Sequence, residues 1–288
     1  VFVALLAGLI VSRLLALITE KNIVIKLPDS VPEMVSESLS SLLAGVIIAI
    51  VFLIFRALFA VTPYGNATDC IYTIIQTPLQ SLTGNLPAFI IIILIAQLLW
   101  FFGIHGSMTV LPILFPIWLS YIGDNTAAMA AGKTIPHVLN IGLWDLANLG
   151  GSGATIGLVI LMFFKAKSNQ YKSFGKLTLP CGIFSVNEPV IFGLPVILNP
   201  IMLIPFIICP IVLVCLGYAL IQFGIVTAPI GILGLGSMPP LISGIMQGSL
   251  SWGIYQLVAV VISIIIYYPF FKTIDNQALA KEKGEQGE

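Results

Sequence analysis

Charge is scarce in this sequence. Asp, Glu, Lys and Arg together make up 8% of the 288 residues, and 58% of the residues are hydrophobic. Soluble domains carry about 25% charged residues. A soluble fold of this size cannot bury so much apolar surface, because a compact protein needs a more polar exterior. The composition therefore excludes a soluble enzyme and predicts that a lipid bilayer contacts most of the surface.

Patterns typical of metal, nucleotide and nucleic-acid binding are also missing. The four cysteines have no metal-ligand spacing and no CxxC pattern, so we predict no metal site. No basic stripe with interleaved aromatic residues is present, which argues against nucleic acid as a partner. The run Gly150-Gly151-Ser152-Gly153 lacks the Lys-Ser/Thr of a phosphate-binding loop. We therefore predict no nucleotide and no other cofactor.

Apolar runs of about 20 residues, the length that crosses a bilayer, predict an all-α integral membrane protein, a multi-span helical bundle. The clear runs are residues 1–19, 39–61, 85–102, 200–223 and 249–271. Glycine and proline interrupt three further apolar segments, residues 103–122, 177–197 and 224–248. Broken segments of this kind predict re-entrant hairpins around a transporter's binding site, because irregular backbone at membrane depth needs shielding by protein or water.

Lysine and arginine predict the orientation of the chain. Seven of the twelve lie in residues 165–176 or in the C-terminal tail. Short basic segments usually face the cytoplasm, so we expect both segments there. The chain opens on Val1 within an apolar run, and we expect an N-terminal part to precede it. The predicted organisation is an N-terminally incomplete membrane domain, residues 1–271, and a charged, disordered cytoplasmic tail, residues 272–288.

One carboxylate borders a long uncharged stretch. No charged side chain occurs from Pro189 to Phe271, and Glu188 stands directly before this stretch, in Asn187-Glu188-Pro189. Ionisable groups at membrane depth are costly and usually functional; the plainer interpretation is a helix cap or the partner of a buried cation. Pro189 suits the first turn of a helix. A helix start that carries Asn187 and Glu188 offers both donors and acceptors to a polyhydroxyl ligand.

A histidine in a predicted helix break is the second candidate. His105 lies between Gly103 and Gly106, which indicates a break that exposes backbone to a cavity, and histidine exchanges protons near neutral pH. Gln97 and Trp100 are three residues apart and are neighbours on a helix. An amide beside an indole suits a sugar. The plainer interpretations are a hydrogen-bonded core histidine and a tryptophan at the membrane interface.

The glycine-rich run is a candidate tip of a re-entrant hairpin. Residues 150–153 can expose their backbone to a ligand there. Asp145 and Asn148 precede this run. They either line a cavity or belong to a solvated loop.

These motifs, in this order, resemble enzyme IIC of the bacterial phosphotransferase system. The segment Trp100–Gly106, the run Gly150–Gly153 and Asn187-Glu188-Pro189-Val-Ile-Phe-Gly-Leu-Pro195 are closest to its lactose/cellobiose (diacetylchitobiose) branch. Residues 26–32, Lys-Leu-Pro-Asp-Ser-Val-Pro, are similar to a loop of that branch as well. The resemblance covers essentially the whole chain, although the family is longer at its N-terminus.

The resemblance implies a sugar permease of the plasma membrane. Such proteins are homodimers with two re-entrant hairpins, and they couple the uptake of a disaccharide to its 6-phosphorylation. The phosphate comes from a phosphocysteine on the cytoplasmic IIB component, and IIA is an indirect partner. This chain has no phosphocysteine motif of that kind. Phosphoryl transfer is therefore expected only together with IIB.

The resemblance also assigns residues to the site. Glu188 and His105 match the sugar-site positions that carry the chemistry, and either of the two is a candidate for the catalytic base. The expected substrate contacts are Gln97, Trp100, His105, Gly151, Ser152, Gly153, Asn187 and Glu188.

Two other classes of function stay open at this point. An ion-coupled secondary transporter of a small polar solute also uses broken helices and a buried carboxylate. A membrane assembly subunit without a substrate is the third possibility, and it predicts no polar cavity around Glu188.

Overall fold

The computed structural model describes residues 2–23, 33–71, 73–74, 84–194 and 196–285. The motif at residues 26–32 and Pro195 lie outside these ranges. Within them the secondary structure is helical, which confirms the all-α prediction. The helices are α1 (Phe2–Glu20), α2 (Glu33–Ala60), α3 (Ala67–Ile71), α4 (Leu86–Phe101), α5 (Gly106–Ala130), α6 (Ile141–Ala147), α7 (Ile156–Lys165), α8 (Asn169–Ile183), α9 (Glu188–Gly193), α10 (Pro200–Gln222), a 3₁₀ helix (Leu235–Ser237), α11 (Ile242–Met246) and α12 (Leu250–Glu285).

The chain divides into two compact units, Val1–Ser81 and Leu82–Glu288. In the first unit, α1, α2 and α3 pack against one another. In the second, α7 packs against α8 and α12, while α10 packs against α4, α6 and α12. The largest fully buried side chains of this second unit include Trp118, Phe206 and Trp252. The candidate site lies entirely in the second unit.

Several helices are long and apolar enough to cross a bilayer. Within the described ranges they are Ser41–Ala60, Gly106–Ala130, Pro200–Gln222 and Leu250–Gly284, and two shorter apolar helices are Leu86–Phe101 and Ile156–Lys165. Large apolar side chains such as Leu53, Ile254 and Ile265 are exposed on these helices. Surface of this kind suits acyl chains rather than water. The multi-span prediction is confirmed.

The interruption predicted in residues 103–122 is smaller than expected. Pro112 and Pro116 were expected to break the helix together with the glycines, and this prediction is wrong, because both lie inside the continuous α5. Membrane helices tolerate proline where neighbouring groups satisfy the freed carbonyls. The break falls instead just before α5, where Gly103 adopts the left-handed backbone with φ +82°.

The other two interrupted segments are broken as predicted. In residues 177–197, α8 ends at Ile183 and α9 begins at Glu188, although Pro180 lies within α8. Residues 224–248 hold only the 3₁₀ helix and the short α11. Whether these segments re-enter the bilayer stays a prediction.

The predicted disorder of the C-terminal tail is wrong for residues 272–285. Helix α12 continues through Pro269 to Glu285. Asp275 is buried, with 3% of its surface exposed. Its carboxylate accepts hydrogen bonds from the backbone N–H groups of Lys167 and Ser168 and from the Ser168 hydroxyl. The tail is ordered because its carboxylates satisfy free N–H groups ahead of and within the first turn of α8.

A second carboxylate extends this contact. Glu282 accepts hydrogen bonds from the backbone N–H groups of Asn169 and Gln170, the first residues of α8. The lysine-rich segment 165–176 and the tail are therefore in contact, as the orientation argument requires. That they face the cytoplasm stays a prediction.

We predict that Asp275→Ala lowers the free energy of unfolding by roughly 2–4 kcal/mol, because it leaves buried N–H groups without an acceptor. Thermal unfolding of the full-length protein in detergent measures the change. Glu282→Gln is the control, since its partners are exposed, and it should lower the melting temperature much less. An Asp275→Ala melting temperature equal to that of the wild type contradicts the capping role.

Candidate functional site

A cavity of about 250 Å³ lies where the broken segments of the second unit meet. Helix ends and loops line it, so its walls carry backbone and polar groups that regular helices would hide. Six of the eight predicted site residues line this cavity: Trp100, His105, Gly151, Ser152, Asn187 and Glu188.

A larger cavity, of about 540 Å³, lies elsewhere in the same unit. It is formed near the ends of α5 and α10, and Lys133, Gln222 and Thr227 are among its lining residues. Its described lining includes no histidine and no carboxylate. Size alone does not provide acid–base chemistry, so the smaller cavity is the candidate site.

The break before α5 positions His105. This residue is the N-cap of α5, and its Nδ1 accepts a hydrogen bond of 3.2 Å from the backbone N–H of Met108. A neutral imidazole whose Nδ1 is an acceptor carries its proton on Nε2. The Trp100 ring lies against the imidazole, with 4.2 Å between the ring centroids. The Met108 N–H thus makes Nε2 the donor nitrogen, and the Trp100 ring supports the imidazole from the side.

Glu188 begins α9, as Asn187-Glu188-Pro189 predicted. A carboxylate in the first turn is favoured by the helix dipole. Its Oε1 lies 3.6 Å from Nε2 of His105, and both side chains are partly exposed. This distance is too long for a hydrogen bond. A hydroxyl oxygen placed about 2.8 Å from both atoms can accept from Nε2–H and donate to Oε1.

Asn187 holds the glycine-rich loop against the start of α9. Its amide N–H groups donate to the carbonyl of Ser152 at 2.7 Å and to the hydroxyl of Thr155 at 3.0 Å. Gly151 has φ +99°, and a Cβ there would lie 2.1 Å from Cγ of Asn187. Only glycine fits this position. The side-chain nitrogen of Asn187 is therefore already occupied within the protein.

The same loop also contacts α5 and α12. The hydroxyl groups of Ser107 and Ser152 lie 3.0 Å apart and are buried. On the other side, Ser263 donates to the carbonyl of Ala154 at 2.7 Å. Through Ser107 the loop contacts α5, which His105 caps, and through Asn187 it contacts the start of α9, where Glu188 lies.

The remaining two predicted residues do not line the cavity. Gln97 is 0% exposed on α4, and neither of its amide atoms has a hydrogen-bond partner in the described part of the chain. At Gly153, the carbonyl accepts a hydrogen bond of 2.7 Å from the Tyr267 hydroxyl. A Cβ at this glycine would lie 2.2 Å from the Phe206 ring. The structure gives Gly153 a packing role.

Other lining residues were missed or left open by the sequence. Gly236 and Ser237 line the cavity from the 3₁₀ helix, and the glycine-rich character of residues 224–248 was the only signal. Asp145 and Asn148 also line it, so of the two alternatives the cavity is correct. Burial raises the pKa of the Asp145 carboxyl well above its ordinary value; this residue lies on α6, outside the membrane-spanning helices.

A family model described as "Phosphotransferase system, EIIC" matches residues 1–210. The chain is 38% identical over 284 residues to the "Lichenan permease IIC component" of Bacillus subtilis (strain 168), covering 98% of this chain and 63% of that protein. It is 37% identical over 289 residues to the "PTS system cellobiose-specific EIIC component" of Geobacillus stearothermophilus, covering 99% and 64%.

A solved structure is similar over almost the whole chain. The crystal structure of the transporter ChbC, "the IIC component from the N,N'-diacetylchitobiose-specific phosphotransferase system", is 37% identical, with a TM-score of 0.90. The match covers 98% of this chain and 66% of that one. The chain therefore spans a little under two thirds of the length of these relatives.

We predict that Gly151→Ala lowers the free energy of unfolding by at least about 2 kcal/mol, because the methyl group collides with Asn187 and the backbone is left-handed. Gly123→Ala is the matched control: Gly123 lies within α5 with open space around its Cα, and alanine there should be neutral or stabilising. Thermal unfolding in detergent compares the two. Equal melting temperatures contradict the close fit of the loop.

Proposed function

Because this chain belongs to the phosphotransferase system EIIC family, we propose that it forms the sugar-binding part of a permease. The permease carries a disaccharide across the plasma membrane and holds it for phosphorylation at the 6-hydroxyl. The relatives described above are named for lichenan, cellobiose and diacetylchitobiose. The proposal therefore names the substrate class, with cellobiose as the probe.

The single observation that carries the proposal is the pair formed by His105 and Glu188. The Nε2–H donor and the carboxylate acceptor are 3.6 Å apart in a polar cavity. One hydroxyl group can bridge the two, with its oxygen beside them and about 2.8 Å from each. A sugar brings such a group, and a primary hydroxyl at the end of a pyranose ring is the one that reaches furthest.

The roles of the two side chains follow from their hydrogen bonds. His105 has Nδ1 occupied by the Met108 N–H, so its neutral ring offers a proton at Nε2 and has no free lone pair for another. Among the residues that the structure describes, no backbone N–H donates to the Glu188 carboxylate, which can therefore take the proton. We assign Glu188 as the general base and His105 as the donor that positions the hydroxyl oxygen.

The transfer step uses these roles directly. The sugar O6 attacks the phosphorus of the IIB phosphocysteine, its proton passes to Glu188, and the S–P bond breaks to leave a thiolate. Phosphoryl transfer depends chiefly on in-line positioning of the nucleophile and on stabilised charge. The cavity supplies the positioning, and the IIB component supplies the phosphate.

Location and partners follow from the family. Spanning helices and family membership make this chain part of an integral plasma-membrane protein. Within the proposal, the permease is a homodimer, it works with cytoplasmic IIB and IIA, and the lysine-rich end with the tail faces the cytoplasm. An ion-coupled secondary transporter is not favoured, because the relatives reported above are all IIC components.

We predict that Glu188→Gln and His105→Gln separate chemistry from binding. Glu188→Gln should lower the rate of cellobiose phosphorylation by roughly 10²- to 10⁴-fold, because the base is lost, while the dissociation constant changes only a few-fold. His105→Gln should lower kcat/KM by about tenfold through the lost hydrogen bond. The assay is phosphoenolpyruvate-dependent phosphorylation by the full-length protein in vesicles supplied with IIA and IIB.

Glu20→Gln makes the same chemical change at an exposed residue of α1 that pairs with Arg13, and it should leave the rate unchanged. Normal phosphorylation by both Glu188→Gln and His105→Gln would refute the assignment of the site. Uptake that follows a proton gradient and ignores phosphoenolpyruvate would refute the proposed class of transporter.

A further inference from the structure

Several described helices end in the same hydrogen-bonded motif, and one of them carries an unusual residue. The chain leaves each helix through a left-handed residue after the C-cap, and the N–H groups of this residue and the next bond back to the last turn. The left-handed residues are Asn22 after α1, Gly103 after α4, Gly132 after α5, Ser185 after α8 and Gly224 after α10. Glycine is usual at this position and asparagine tolerates it. The serine that ends α8 is the exception.

The backbone at Ser185 follows the motif closely. Its N–H donates to the carbonyl of Gly182 at 3.0 Å, and the N–H of Val186 donates to the carbonyl of Cys181 at 3.0 Å. The φ of Ser185 is +57°, a conformation that is costly for a residue with a Cβ. Glycine would form the same backbone bonds without this strain. The end of the helix alone therefore does not account for the serine side chain.

The hydroxyl group gives Ser185 a contact that glycine lacks. Its Oγ accepts a hydrogen bond of 3.1 Å from the backbone N–H of Gly150, the first residue of the glycine-rich loop. Gly150 is closely confined: its φ is +79°, and a Cβ there would lie 2.3 Å from the backbone nitrogen of Ile156. Its carbonyl also accepts a hydrogen bond of 2.7 Å from the hydroxyl of Thr155. Ser185 thus fastens the turn between α8 and α9 to a closely packed part of the loop.

This contact is the second one between the turn and the loop. Asn187 bonds the same loop further along, at Ser152 and Thr155. One contact lets the turn rotate about it, whereas two separate contacts determine both its position and its orientation. Glu188 directly follows Asn187 and begins α9. The direction of its carboxylate toward His105, 3.6 Å away, therefore depends on both contacts.

We propose that Ser185 is a positioning residue for Glu188. Its hydroxyl holds the turn before α9 so that the carboxylate meets the 6-hydroxyl of the sugar in a reactive orientation. Ser185 acts through Glu188 rather than through contact with the sugar, and this role is the reason that a strained serine stands in place of glycine. The inference rests on the proposed function and deepens it. A displacement of about 1 Å can lower the rate by about 100-fold, so a small rotation of the turn matters.

Ser185→Gly is the informative variant, because it keeps the backbone motif and removes the contact with Gly150. We expect kcat for phosphoenolpyruvate-dependent phosphorylation of cellobiose to fall roughly 10- to 100-fold, while the dissociation constant of cellobiose changes less than about threefold. The melting temperature in detergent should stay close to that of the wild type, since the lost hydrogen bond and the relieved strain offset each other. The assay uses the full-length protein in vesicles supplied with IIA and IIB.

Ser185→Asn is the variant expected to rescue activity. Asparagine tolerates the left-handed region, and its side-chain oxygen can accept from the Gly150 N–H, so kcat should stay close to that of the wild type. Asn22→Gly is the matched control. It places glycine at the same position of the same motif at the end of α1, in the other compact unit, and should leave kcat unchanged.

A double variant tests whether Ser185 acts through Glu188. Adding Ser185→Gly to Glu188→Gln should lower the residual rate no further, because the carboxylate that the turn positions is already lost. A further loss by the full factor seen with Ser185→Gly alone would show independent action and contradict the inference.

Three other results overturn the inference. One is wild-type kcat in Ser185→Gly while Glu188→Gln is defective, which leaves the proposed function standing. Another is a Ser185→Asn variant as slow as Ser185→Gly. The third is a loss of cellobiose affinity in Ser185→Gly that accounts for its whole loss of kcat/KM, which makes Ser185 a sugar contact instead. A wild type that phosphorylates no sugar overturns the proposed function itself, and this inference with it.

Discussion

Backbone groups released where a helix stops must find new hydrogen-bond partners, and this constraint shapes the site. Lipid offers none, so the protein supplies them. His105 satisfies the first turn of α5, and Asn187 holds the loop that precedes α7. The residues that terminate helices therefore meet in one place, and the cavity lies between them. Chemistry at this site follows from the same polar groups that make the interruptions tolerable.

The sequence predicts the reacting groups better than their surroundings. Glu188 and His105 could be identified because an isolated ionisable group in an apolar chain is costly. Gln97 was assigned to the cavity through its spacing from Trp100, yet α4 buries it away from the lining. Helical spacing shows which residues are neighbours, but the direction of their common face depends on tertiary packing, which one sequence does not contain.

Prolines and charged tails show the same limit. Pro112 and Pro116 stay inside α5, as membrane helices allow where neighbouring groups satisfy the freed carbonyls. Residues 272–285 are helical because Asp275 caps a helix more than 100 positions earlier in the chain. Local composition predicts a helix break at the two prolines and a solvated tail at residues 272–285. Contacts with distant parts of the chain determine the tail's structure instead. Asp145 belongs to this group too, since only the fold shows which side of α6 meets the cavity.

Helix α12 contacts the chain on both sides of α7, the helix that follows the glycine-rich loop of the site. Near its middle, Ser263 and Tyr267 bond the carbonyls of Ala154 and Gly153; about two turns later, Asp275 fastens the start of α8. A single helix thus fixes the distance between residues 153–154 and residues 167–168. One residue inserted into α12 between these contacts would turn them about 100° out of phase.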